Sequence, residues 1–116
     1  MPGTPFTSGP AFATTSIADV AGVTPSSAAT YRLVRHIHFA NTNASSRTIS
    51  AWKGASGVGT NGTELVEGKV IAANDVFDLY FPAGKKFLST DFLTVQAGTD
   101  STSVTVTVDG ESYAVS

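Results

Sequence analysis

The chain has 116 residues, which fits one domain with one core; a domain of that size buries roughly two-thirds of the surface its unfolded chain exposes. Seven Lys and Arg stand against nine Asp and Glu, a formal net charge of −2. That balance excludes the basic stripe of a general nucleic-acid binder and the polybasic segment of a membrane anchor. Without cysteine, disulfides and thiolate chemistry are excluded as well.

Hydrophobic residues make up 41% of the chain, and the β-branched ones fall in short runs. A folded domain is therefore expected despite the abundance of Ser, Thr, Gly and Asn. The first twelve residues, MPGTPFTSGPAF, have neither the basic start nor the apolar centre of a signal peptide. No stretch approaches the ~18 consecutive apolar residues that mark a membrane span.

Pro2, Pro5 and Pro10 with Gly3 and Gly9 mark residues 1–14 as an extended N-terminal arm, because proline cannot donate to a ladder. Residues 15–116 are then the β-sandwich domain. Phe6 and Phe12 are two aromatics on the arm. They pack on their own domain or, with Pro5 and Pro10, anchor the arm on a neighbour. In the second case, removing residues 1–12 weakens the contact and leaves the fold intact.

Residues 15–23, TSIADVAGV, read as a strand or a short helical turn before the break at Thr24-Pro25. Tyr31 to Ala40 is the clearest strand: Tyr31, Leu33, Ile37 and Phe39 alternate with Arg32, His36 and His38. Arg35 breaks the alternation, which calls for a bulge or for its aliphatic stem lying along the core edge. Asn41 to Ser46 is turn material. Residues 47–53, RTISAWK, resume the strand, so 31–53 reads as a hairpin.

Residues 54–62 form a loop ending in Asn61-Gly62, a hairpin dipeptide. Residues 64–72 read as an irregular strand broken at Gly68, and 76–81 as a strand ended by Pro82-Ala83-Gly84. Residues 91–97 and 103–108 are further strands. Asp109-Gly110 is a second hairpin dipeptide, after which 112–115 pairs back. Seven or eight short strands with no amphipathic helix predict an all-β, antiparallel sandwich of jelly-roll or Greek-key type.

No motif in the chain singles out a catalytic residue. Gly57 to Gly62 matches G-x-G-x-x-G, but no helical face follows to hold a phosphate, so a loop is expected and no cofactor. His36 and His38 point to one side of a strand and would ligate a metal only if another strand or chain added donors. With no carboxylate nearby in sequence, they read as surface histidines. Asp75 and Asp78 read as a turn residue and an outward strand position. Trp52, Tyr80 and Tyr113 read as core or interface aromatics before a sugar platform. The sequons at Asn43 and Asn61 read as chance.

Four phrases carry a family resemblance: IHFANTN at 37–43, TISAWKG at 48–54, KVIAANDVFDLYF at 69–81 and SVTVTVDGESY at 103–113. Together they make the run from Tyr31 to Val115 resemble small β-sandwich virion proteins of bacteriophages. The resemblance implies a non-enzymatic capsid decoration protein, made in the host cytoplasm and bound to the outer surface of the virion. It further implies the major capsid protein as partner and a homo-oligomer, with a trimer favoured. A tail or fibre part that recognises host carbohydrate is the alternative, and a small hydrolase a third reading. The family supplies no catalytic motif to carry over.

Overall fold

Short β-branched runs cannot bury a face alone, and here they do so by forming two sheets. A computed structural model describes residues 3–59 and 63–115. Its strands are β1 (Thr4–Phe12), β2 (Ala18–Asp19), β3 (Thr30–Asn41), β4 (Arg47–Gly54), β5 (Glu64–Ile71), β6 (Val76–Phe87), β7 (Phe92–Ala97) and β8 (Val104–Ala114). No helix is present among the described residues.

One sheet has the order β1-β8-β3-β6 and the other β2-β7-β4-β5. All pairs are antiparallel, and β1 meets β8, β2 meets β7, β3 meets β6 and β4 meets β5. That nesting is a long hairpin rolled upon itself, which is the jelly roll. Its apex is the β4–β5 connection. The dipeptide Asn61-Gly62, expected to turn there, lies outside the described residues.

Alternate residues of facing strands fill the space between the sheets. Ile37 and Phe39 of β3 and Val104, Val106 and Val108 of β8 meet Ile49 and Ala51 of β4 and Leu93, Val95 and Ala97 of β7; all are buried. Phe87 and Ile71 belong to the same buried core. Each of the Val, Leu, Ile and Phe side chains contributes about 1.5–3 kcal/mol of burial free energy before the entropy of ordering is subtracted.

Arg35 sits in a bulge. Val34 lies opposite Gly110 and His36 opposite Asp109, so one extra residue of β3 faces β8. Val34 is fully buried, while Arg35 turns outward, its Nε donating to Glu111 Oε1 at 3.0 Å. The bulge reverses the parity of everything before it. Tyr31 and Leu33, expected on the core face with Ile37, therefore lie on the outer face opposite Tyr113 and Glu111.

Four other expectations are corrected. Residues 31–53 are not a hairpin, because β3 and β4 belong to different sheets. Asn41 holds the crossing: its buried Nδ2 donates to Ser45 O at 2.9 Å and to Ile71 O at 3.1 Å. Pro82-Ala83-Gly84 does not end a strand. The three residues lie within β6, in the irregularity between Tyr80, opposite His36, and Lys85, opposite Val34. Asp109-Gly110 does not turn, since β8 runs straight through it. The first strand shrinks to Ala18–Asp19.

The N-terminal segment is extended, and in its described part it lies along β8 as the edge strand β1. Thr4 faces Ser112 and Ser8 faces Val108; the register then shifts across Gly9 and cis-Pro10, and Ala13 enters the core. An edge position tolerates proline because its outward N–H has no partner to lose. Removing residues 1–12 would therefore strip a strand from the sheet. The pairing of β1 with β8 runs against the expectation that the fold survives such a truncation.

Candidate functional site

The outer face of the β1-β8-β3-β6 sheet carries a cluster of ionisable side chains. The period of two places His36 and His38 on that face, and the register places Asp78 of β6 opposite His38, and Tyr80 of β6 and Asp109 of β8 opposite His36. The carboxylates missing from the local sequence thus arrive from both neighbouring strands.

Asp78 Oδ1 lies 2.7 Å from His36 Nε2 and 2.6 Å from His38 Nδ1. An ionised carboxylate has no proton to give, so both rings donate to this one oxygen. Hydrogen bonding from His38, then from His36, holds the Asp78 carboxyl below its ordinary range despite some desolvation. His36 Nδ1 is 3.5 Å from Asp109 Oδ2, and Asp109 Oδ1 accepts the Thr7 hydroxyl at 2.8 Å. A polar chain therefore crosses all four strands: Thr7 on β1, Asp109 on β8, His36 on β3 and Asp78 on β6.

The rings are held as well as bonded. Tyr80 stacks on His36 with centroids 4.5 Å apart and planes 11° from parallel. The side chains of His36, Asp78 and His38 are 23%, 30% and 36% exposed, so solvent reaches the cluster. Such a group can hold protons or a cation. It lacks the arrangement of an activated nucleophile, because the Thr7 hydroxyl bonds to a carboxylate and not to a histidine.

The other residues singled out by sequence disperse. Phe6 packs against the core and lies under the Arg32 guanidinium, 4.7 Å from ring centroid to Cζ. Phe12 stays 54% exposed, and Pro5 and Pro10 are exposed beside it on the same edge strand. Trp52 is buried in the other sheet, Tyr113 stacks on Tyr31, and Tyr80 covers His36, so the three make no common platform. Asp75 Oδ1 accepts the Val76 amide in its own turn and plays no part with Asp78.

The G-x-G-x-x-G match is described as far as Gly59. There the Gly57 amide donates to Asp19 Oδ1 at 2.7 Å, and the next element is the strand β5. A carboxylate of the chain itself occupies the donor that a phosphate would need.

What sequence reading missed is the pairing of the two histidines with Asp78 and Asp109. Strand periodicity sets which face a residue takes, but only register sets its cross-strand neighbour.

No family model and no curated protein matches this chain. Among solved structures, a chain of the structure of infectious bursal disease virus, Gx strain, superposes on 95% of this chain with a TM-score of 0.35 at 6% sequence identity. The match spans 28% of that chain's length.

Proposed function

We propose that this chain is a non-enzymatic structural protein of a bacteriophage virion: a capsid decoration protein that binds the outer capsid surface as a homo-oligomer, favouring a trimer, and stabilises the shell. The major capsid protein is its partner, the particle surface its location, and the host cytoplasm its place of synthesis. The reading starts from the resemblance of residues 31–115 to small phage virion proteins. The jelly roll is compatible by fold-level analogy only, since one fold serves many functions.

The observation that carries it is that four of the seven exposed large apolar side chains among the described residues sit on edge strands. Phe12 (54% exposed) is on β1, Val70 (59%) on β5, and Val76 (49%) and Tyr80 (65%) on β6. These are edge strands of the two sheets. Unpaired edges with apolar side chains are surfaces that another chain covers. Many copies held at such edges gain avidity although each contact is modest.

The test is co-sedimentation of the purified protein with capsids that lack it. Wild type is expected to pellet with heads, and Phe12→Ser and Val70→Ser to lower the bound fraction at least several-fold while melting normally. Labelling of tails without heads, or full binding by both variants, rejects the reading. The tail or fibre alternative needs Trp52 or Tyr113 beside loop 54–63 as a sugar platform. It has less support, because Trp52 is buried and Tyr113 is stacked in the opposite sheet.

A further inference from the structure

We infer that His36, His38 and Asp78 form a binding site for a divalent first-row transition-metal ion, with zinc as the expected occupant. The ion is a ligand of the outer sheet face, and the inference stands independently of the capsid role.

The donor set selects the ion class. Two imidazoles and one carboxylate suit zinc and its neighbours, whereas calcium and magnesium take oxygen donors. One ligand atom from each of the three residues lies within 4.8 Å of the others. An ion with bonds of about 2.0–2.2 Å separates tetrahedral ligands by about 3.4 Å. The present N···O separations of 2.7 and 2.6 Å would then open by less than about 1 Å. Partly exposed side chains on fixed strands can make that adjustment by small rotations.

The surroundings fit as well. With Nε2 of His36 on the ion, its Nδ1 is left beside Asp109 Oδ2, 3.5 Å away. Closing that gap by a few tenths of an ångström would make the carboxylate–histidine–metal arrangement, in which the outer carboxylate fixes the ring and its tautomer. Asp109 is in turn fixed by Thr7, and one face of the His36 ring is covered by Tyr80. All the residues stand on paired strands, which position ligands better than loops do. Three protein donors leave at least one coordination position for water, on the solvent side.

The test uses tag-free protein and cobalt(II) as a spectroscopic probe for zinc. Wild type is expected to develop the visible absorption of nitrogen- and oxygen-bound cobalt, saturating at one ion per chain and reversed by one equivalent of zinc. His38→Gln and Asp78→Asn should each weaken zinc binding by about tenfold or more, and Asp109→Asn by about tenfold. The chain has only two histidines, so the imidazole NMR signals of wild type give a readout that needs no variant: cobalt should shift or broaden both. No binding by wild type, unaffected imidazole signals, or unchanged affinity in folded His38→Gln and Asp78→Asn overturns the site.

Discussion

A Cβ atom added to Gly110 would stand 2.1 Å from the carbonyl oxygen of Leu33. The contact arises at the Arg35 bulge, where Val34 lies opposite Gly110 and β8 passes close to β3. Beneath the same point the Phe6 ring would be 2.9 Å away. Glycine is therefore needed here for space in mid-strand, and not for a turn. Gly110→Ala is expected to destabilise the fold by about 2–3 kcal/mol through overpacking against backbone. Gly110→Asn, which a hairpin turn would accept, should cost more still. Urea denaturation of the two variants decides, and an asparagine variant as stable as wild type would refute the strand reading.

Asn41 ties together the two connections at one end of the roll. Its side chain is buried, donates to carbonyls of Ser45 in the β3–β4 connection, Ile71 at the end of β5 and Ala72 in the β5–β6 connection, and accepts the Asn43 amide at 3.0 Å on Oδ1. Asn41→Ala leaves those buried groups without partners, and a loss of about 2 kcal/mol follows. Asn41→Asp should be no better, because a carboxylate cannot donate to carbonyls. Equilibrium unfolding checks both, and an alanine variant within 0.5 kcal/mol of wild type contradicts the assignment.

The fold class was readable from strand alternation: Val104, Val106 and Val108, or Ile37 and Phe39, name a buried face without further help. The roll was not readable, because Asn41-Thr42-Asn43 carries the same turn chemistry whether a chain folds back in its own sheet or crosses to the other. The difference lies in carbonyls at positions 71 and 72 that only the folded chain brings to Asn41. Asp109-Gly110 misled for a related reason, since glycine signals a turn and a close approach equally well. The histidine cluster was half readable. The spacing of His36 and His38 gave their common face, but Asp78 is 40 residues from His38 and reaches it by register.

Acid should weaken the fold through Asp100. Hydrogen bonding from Ser103, then the Thr102 amide and Arg47, holds its carboxyl below the ordinary aspartate value despite some desolvation. Arg47 Nη2 stands 3.0 Å from Asp100 Oδ2. A depressed folded-state value means that the unfolded chain takes up the proton first as pH falls. This contribution is present above the unfolded value of about 4 and disappears as pH drops through the folded one. Asp100→Asn should lower stability at pH 7 and flatten its decline between about pH 5 and pH 2. Thermal melts across that range test the slope. An unchanged slope in the variant removes Asp100 from the account.

Phe6 and Phe12 lie on one strand and should behave oppositely. Phe6 is packed against the core beneath Arg32, whose Nε donates to Ser112 at 2.9 Å and whose Nη1 donates to the Gly22 carbonyl. Removing that ring opens a space between β1 and β8 and frees the guanidinium that caps it. Phe6→Ala is expected to cost about 2 kcal/mol, below the range for a fully buried ring because Phe6 is only partly enclosed. Phe12, 54% exposed, should change stability by less than about 0.5 kcal/mol when made serine. Deleting residues 1–12 removes both side chains and bares the edge of β8, so the truncated protein should melt earlier and self-associate. Scanning calorimetry with light scattering on the three proteins separates the roles. A truncated chain that melts like wild type would restore the free arm and detach β1 from the fold's stability.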